Sequence, residues 1–177
     1  MSRYTIDSER SQVWIDGSSS VHPVRASAIG LTGWFALDPD AREATRIAAG
    51  RVEIAVDRLR SGNPLVDRET RRRIDARRYP AIVGELTAVD AVRDDVLVVR
   101  GTIAFRGADL EVAGELTVTP QERGIVIAGE RTFDVRDWGL EPPRFAMLKV
   151  HPTVRVRIHV EAHPANELAS LDPPTSG

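Results

Sequence analysis

Residues 153–162 read Thr-Val-Arg-Val-Arg-Ile-His-Val-Glu-Ala, and this stretch decides the fold. Val154, Val156, Ile158, Val160 and Ala162 alternate with Arg155, Arg157, His159 and Glu161. A period of two sends alternate side chains to opposite faces of a pleated strand, so the segment has one dry side and one wet side. Working outward, the same alternation returns in Val52, Ile54 and Val56 against Glu53, Ala55 and Asp57. It returns again in Leu110, Val112, Leu116 and Val118 against Asp109, Glu111, Glu115 and Thr117. A chain of half-wet strands has to close or double its sheet to bury the dry faces, and closure around an apolar lumen creates a place for a small ligand.

The pattern predicts strands over 11–18, 24–37 (long, with a bend at Gly30 or Gly33), 50–59, 81–91, 95–106, 109–119, 124–136 and 151–162. Several joints are short and carry turn chemistry: Arg93-Asp94-Asp95, Arg106-Gly107-Ala108 and Pro120 to Gly124. Short joints between sequential strands imply an antiparallel meander. The looser connection from Asp38 to Gly50 is polar and alanine-rich, with room for one helical turn.

One segment breaks the strand pattern. Gly62-Asn63-Pro64 offers an N-cap asparagine followed by proline at the first helical position, where its missing N–H costs nothing. A helix is predicted over about 64–78, with acidic Asp67 and Glu69 early and Arg71, Arg72, Arg73, Arg77 and Arg78 late. Pairs four apart, Asp67 with Arg71 and Glu69 with Arg73, support it, and Tyr79-Pro80 is expected to end it. The thin apolar stripe of Leu65, Val66, Ile74 and Ala76 suits a helix lying across a barrel opening or flank. Balanced charge on one helix reads as a solvated face rather than an anion site.

Composition narrows the function. At 177 residues the chain makes one ordinary domain with a sizeable core, and 24 Lys+Arg against 26 Asp+Glu leave a net charge of -2. No basic field exists to hold nucleic acid. There is no cysteine, which removes disulfides and thiolate chemistry. The N-terminus lacks an apolar leader region and no run is long enough to span a bilayer, so the reading is a soluble, cytoplasmic protein. Residues 1–162 are expected to form the barrel domain. The segment 163–177, with Pro164, Pro173 and Pro174, carries too little apolar content to order itself and reads as a disordered tail.

Several landmarks, in order, resemble the YceI-like family: Tyr4-Thr5-Ile6-Asp7, Leu31-Thr32-Gly33-Trp34-Phe35, Gly62-Asn63-Pro64-Leu65 and Arg78-Tyr79-Pro80. Gly101-Thr102-Ile103-Ala104-Phe105-Arg106-Gly107, the strand from Leu110 to Val118, and Phe133-Asp134-Val135-Arg136-Asp137-Trp138-Gly139-Leu140 complete the set. The resemblance covers about residues 4–162. It implies an all-β, lipocalin-like antiparallel barrel of eight strands with one inserted helix and an elongated apolar cavity. It also implies a polyisoprenoid or other lipid ligand, and it permits a homodimer. Ser18-Ser19-Ser20-Val21-His22-Pro23-Val24 departs from the family's usual start to the second strand.

An eight-stranded barrel is just wide enough to be filled by its own side chains or to hold one small ligand. Gly17, Gly101, Gly114 and Gly129 fall in the apolar phase of their strands, where they either let the barrel coil or leave unfilled space. The expected lining is Ile15, Phe35, Ile54, Val56, Ile103, Phe105, Val112, Leu116, Ile127, Phe133, Val156 and Ile158. It is mostly aliphatic, and aromatics are only 5% of the chain, which suits an alkyl or isoprenoid chain better than a flat ring. Arg131 falls in the inward phase as well. Either a bulge near Gly129 turns it out, or a buried guanidinium needs a partner such as a ligand head group. Trp138, Phe145, Met147 and Leu148 lie in or beside the connection 137–149, as a cap on the lumen or as a dimer contact.

Catalytic patterns are poor. Ser18 to Ser20 with His22 suggest a hydrolase arrangement, but no nucleophile-elbow sequence accompanies them. His159, Glu161 and His163 share one strand face, which reads as a wet outer surface rather than a metal site. No cofactor is expected. The sequence therefore points to a non-enzymatic lipid carrier. The alternatives are a small-molecule isomerase or esterase using His22 or Arg131, and a fully packed stress or interaction protein.

Overall fold

The computed structural model describes residues 2–38, 47–142, 144–145 and 148–168. The chain forms β1 (Ser2–Ile6), β2 (Gln12–Ser18), β3 (Pro23–Ile29), β4 (Thr32–Leu37) and β5 (Ile47–Ala55). A 3₁₀ turn (Val56–Arg58) and helix α1 (Pro64–Ile74) lead to β6 (Ala81–Arg93), β7 (Val96–Phe105), β8 (Ala108–Gln121) and β9 (Gly124–Asp134). A second 3₁₀ turn (Val135–Trp138), the two-residue strands β10 (Arg144–Phe145) and β11 (Leu148–Lys149), β12 (Thr153–Pro164) and the short α2 (Ala165–Leu168) complete it.

Every pairing is antiparallel, and β1, β4, β5, β6, β7, β8, β9 and β12 close into a ring. The β2–β3 hairpin prolongs two of these staves. β12 pairs with β1 through Ile6 opposite Ala162 and, farther along the same edge, with β2 through Ile15 opposite Val156. Ser11 bridges the interruption: the Glu161 N–H donates to its hydroxyl at 3.1 Å. The segment 24–37, read as one bent strand, is two strands parted at Gly30, whose φ of +82 is open to glycine at no steric cost. β1 went unread as a strand.

Helix α1 begins as expected, with the Asn63 side chain accepting the Leu65 and Val66 N–H groups at 3.0 and 3.4 Å. It gives out at Ile74 rather than near residue 78, because Asp75 takes the left-handed conformation (φ 60) and its N–H turns back to Arg71 and Arg72. The stripe differs too: Ile74 is buried, whereas Leu65 is 71% exposed. Glu69 pairs with Arg73 as the spacing implied and with Arg72 as well, and hydrogen bonds from Arg72 first and Arg73 second hold its carboxyl at about 2. Asp67 does not pair with Arg71. It is buried and accepts the Ser61 N–H and hydroxyl at 2.8 and 2.6 Å. His163 and Pro164, assigned to the tail from the sequence, pair with Thr5 and Tyr4 in the barrel, and residues 169–177 lie outside the described part. So does the helical turn expected between 38 and 50, apart from its ends.

The two ends of the barrel differ. At one end Ile6, Leu37, Ile47, Leu97, Val118 and Val160 interdigitate with almost no exposure. Burial of such a side chain contributes about 1.5–3 kcal/mol, so this plug holds the ring closed. At the other end the strands diverge, and α1 and the turn around Trp138 lie over the gap. Arg106, in the β7–β8 turn at φ 50, ties the two covers together by donating to the carbonyls of Ile74 (3.3 Å) and Trp138 (3.2 Å). Arg106→Met is expected to lower stability by about 2 kcal/mol, read in urea unfolding, since two charge-assisted bonds are lost at once. No helix among the described residues is long and apolar enough to cross a membrane.

Candidate functional site: an apolar cavity in the barrel

Between the packed plug and the covered end lies a cavity of about 440 Å³. It exists because the inward phase of the strands carries short or absent side chains there. Sites of this kind typically span 300–1,000 Å³, so one slender molecule fits. The barrel is not fully packed.

The strand walls supply Ile15 from β2, Ile54 from β5 with Val56 just beyond it, Ile103 and Phe105 from β7, and Val112 and Leu116 from β8. Ile127, Arg131 and Phe133 from β9 face Val156 and Ile158 from β12, and Phe35 of β4 closes the side next to the plug. Phe35 packs against Gly50, where an added Cβ would stand 2.4 Å from its ring. Trp138 borders the cavity from the covered end. It is buried, its indole N–H donates to the Ile103 carbonyl at 3.2 Å, and it packs against Phe105 and Phe133 with ring centroids 6.3 and 5.7 Å away. The Phe145 side chain and Met147 lie outside the described residues.

The glycines divide. An added Cβ at Gly114 meets nothing within 4 Å, which is open lumen. At Gly101 the Glu85 carbonyl oxygen lies 2.4 Å away, and at Gly129 the Leu116 side chain lies 2.6 Å away, so these two permit close strand approach. At Gly17 the nearest atom, at 3.5 Å, is in ordinary contact. Gly84 on β6 is as open as Gly114 and was missed. Ile82 and Leu86, its neighbours in phase, were missed with it. Ala81-Ile82-Val83 is apolar on both faces, so the phase shows only at Glu85, which points outward to pair with Arg51. Val66, Thr70 and Ile74 of α1 also line the cavity, and strand periodicity carries no signal for a helix crossing a barrel end.

Among the described residues the polar groups do not converge on a reaction centre. His22, considered for an enzyme, is exposed and its Nδ1 binds the Pro23 carbonyl at 2.9 Å. Ser18 instead meets His151, Oγ to Nδ1 at 2.9 Å, at the cavity rim. On the outer face, His159 lies 3.5 Å from Glu161, and His163 lies 3.4 Å from Asp7. No metal-sized cluster forms among the described residues. Arg131 faces inward beside Val156, so no bulge turns it out, but its place in the wall leaves it exposed to solvent rather than buried.

A closed antiparallel barrel of eight staves with an apolar lumen and one helix over its end defines a lipocalin-like fold. The sequence matches the YceI-like domain over residues 4–162, and the chain belongs to that family. Among solved structures it is similar to Burkholderia cenocepacia BcnA, with TM-score 0.76 and 15% identity over 88% of this chain and 98% of that one. A polyisoprenoid binding domain from Saccharophagus degradans, implicated in plant cell wall breakdown, gives TM-score 0.76 and 14% identity over 93% and 99%. The Campylobacter jejuni YCEI protein gives 0.65 and 14% over 79% and 84%. No curated protein matches the sequence. At such identities the structural likeness establishes the fold.

Proposed function

We propose that this protein is a non-enzymatic carrier or reservoir for an isoprenoid or other long-chain amphipathic lipid, held in the barrel cavity. The observation that carries this is the 440 Å³ lumen, walled by aliphatic side chains and left open at Gly84 and Gly114. An apolar wall gives a flexible chain contact along its whole length without demanding directional partners. The polyisoprenoid-binding description of the Saccharophagus degradans relative supports this class of ligand. Titration with retinol, a fluorescent isoprenoid alcohol, is expected to saturate at one per chain and to be reversed by geranylgeraniol. No uptake of either overturns the reading.

Trp138 gives a second readout. With Trp14 and Trp34 changed to Phe, its emission is expected to shift on lipid addition at constant oligomeric state, because its ring borders the lumen. A signal that follows protein concentration and ignores lipid assigns the segment to an interface between copies instead.

The Ser18–His151 contact favours one competing reading, an esterase. Among the described residues no third group orients His151, which a nucleophile–base pair needs. Hydrolysis of a long-chain nitrophenyl ester is expected to stay at background and to be unchanged in Ser18→Ala. Turnover abolished by that substitution makes the protein an enzyme.

A further inference from the structure

The ring is closed, but not along its whole height. The β8–β9 ladder runs from Gln121 opposite Gly124 to Leu116 opposite Gly129 and stops. Beyond that pair, β8 stays bonded to β7 as far as Ala108, and β9 stays bonded to β12 as far as Asp134. Residues 108–115 and 130–134 therefore part from each other, leaving a side opening between two staves. Val112, Gly114 and Leu116 form one lip, and Gly129, Arg131 and Phe133 form the other, all of them bordering the cavity.

Arg131 stands in this opening. It sits opposite Val156 in the β9–β12 ladder, and opposite residues of an antiparallel pair share a face, so it emerges on the lumen side. Its guanidinium carbon lies 5.6 Å from the Phe133 ring centroid, a cation–π contact that holds the stem along the wall. The outward carboxylates of β9 and β6 nearby are paired with arginines, whereas Asp109, Glu111 and Glu115 of β8 stand exposed on the outer face, in the phase opposite to the lumen. Glu130 is bound by Arg155, Asp134 by Arg136 and Asp90 by Arg100, each carboxyl held below its ordinary range by that arginine. Among the described residues no carboxylate lies within ion-pair distance of Arg131. Arg71 is the other lining cation in that position, but it lies on α1 across the barrel end, where its stem can line the cavity while its head reaches water.

We infer that the lipid taken up here carries an oxyanion head, carboxylate or phosphate, bound by Arg131 in the opening between β8 and β9 while the chain occupies the lumen. This rests on the carrier reading and specifies its ligand class. A planar guanidinium with free donors matches either oxyanion in a two-pronged geometry, and the opening lets the head keep contact with water. A neutral head forms no such pair.

Displacement of bound retinol by three chains of equal length, tetradecanoate, tetradecyl phosphate and tetradecan-1-ol, tests this. The parent protein is expected to prefer one or both anions over the alcohol by about tenfold or more. Arg131→Gln is expected to erase that preference and leave the alcohol within about twofold. Arg131→Lys should retain part of it, and Arg71→Gln all of it. Equal binding of the three chains by the parent, or a preference that survives in Arg131→Gln or vanishes in Arg71→Gln, overturns the inference and leaves the carrier reading standing. Failure of retinol and all three chains to bind removes the carrier reading and this inference together. Inorganic phosphate at millimolar concentration should leave the melting temperature unchanged. A rise that Arg131→Gln abolishes, without any preference among the chains, reassigns the arginine to a free anion.

Discussion

A Gly114→Phe variant is expected to fold normally and to lose lipid uptake by about a hundredfold or more, with Gly84→Phe doing the same. At both positions the backbone faces the lumen and an added Cβ meets nothing within 4 Å, so the ring enters space that is empty in the parent. Other choices confuse filling with overpacking. Ile127 is already 2% exposed against the plug, and a larger residue there strains the core, as overpacking typically does by about 1–3 kcal/mol. Retinol titration and thermal melting on the same samples separate the two effects. Uptake that survives both glycine substitutions contradicts placement of the ligand in this lumen.

Gly33→Ala is expected to cost about 3–5 kcal/mol, a large share of the 5–15 kcal/mol that holds a domain of this kind together. Gly33 has φ +138, and a Cβ built on it stands 1.9 Å from the Arg51 carbonyl oxygen and 3.1 Å from the Val52 Cα. These are backbone atoms of the neighbouring strand and cannot swing aside. Gly62 provides the control, with φ +82 and nothing within 4 Å of its added Cβ, so Gly62→Ala should cost only about 1 kcal/mol. Urea unfolding of both variants reads the difference. Equal losses mean that conformational preference alone, and not the close approach of β4 to β5, requires glycine at 33.

Much of this architecture was legible because period-two alternation reports the face of each residue directly. Where one face is charged, as in Thr153–Pro164 or Ala108–Gln121, both the strand and its inward set followed from the residues alone. The residues expected to line the lumen, from Ile15 to Ile158, border the cavity, as do Arg131 and Trp138; the Phe145 side chain and Met147, on the 137–149 connection, lie outside the described residues. The signal fails where both faces are apolar, as at Ala81-Ile82-Val83, and where the chain changes direction without turn chemistry. β1 was missed because Ser2-Arg3-Tyr4-Thr5-Ile6 shows too few apolar positions to display a period. The end of α1 was overread because Asp75 is not a common left-handed stop, and only the structure shows its N–H folding back onto the last turn. The parting of β8 from β9 carries no strand signal: Leu110, Val112 and Leu116 hold the inward phase of β8 through it, and on β9 only Arg131 departs from the apolar inward set. Arg131 was therefore identified as inward from sequence, but its access to solvent was not.

Native mass spectrometry of the protein purified from its own host, before and after organic extraction, tests the lipid-carrier reading most directly. A mass excess of one long-chain molecule per chain that disappears on extraction and returns when an isoprenoid is supplied is the predicted result. A bare chain mass before extraction, together with no gain when isoprenoid or fatty-chain lipids are supplied, contradicts it.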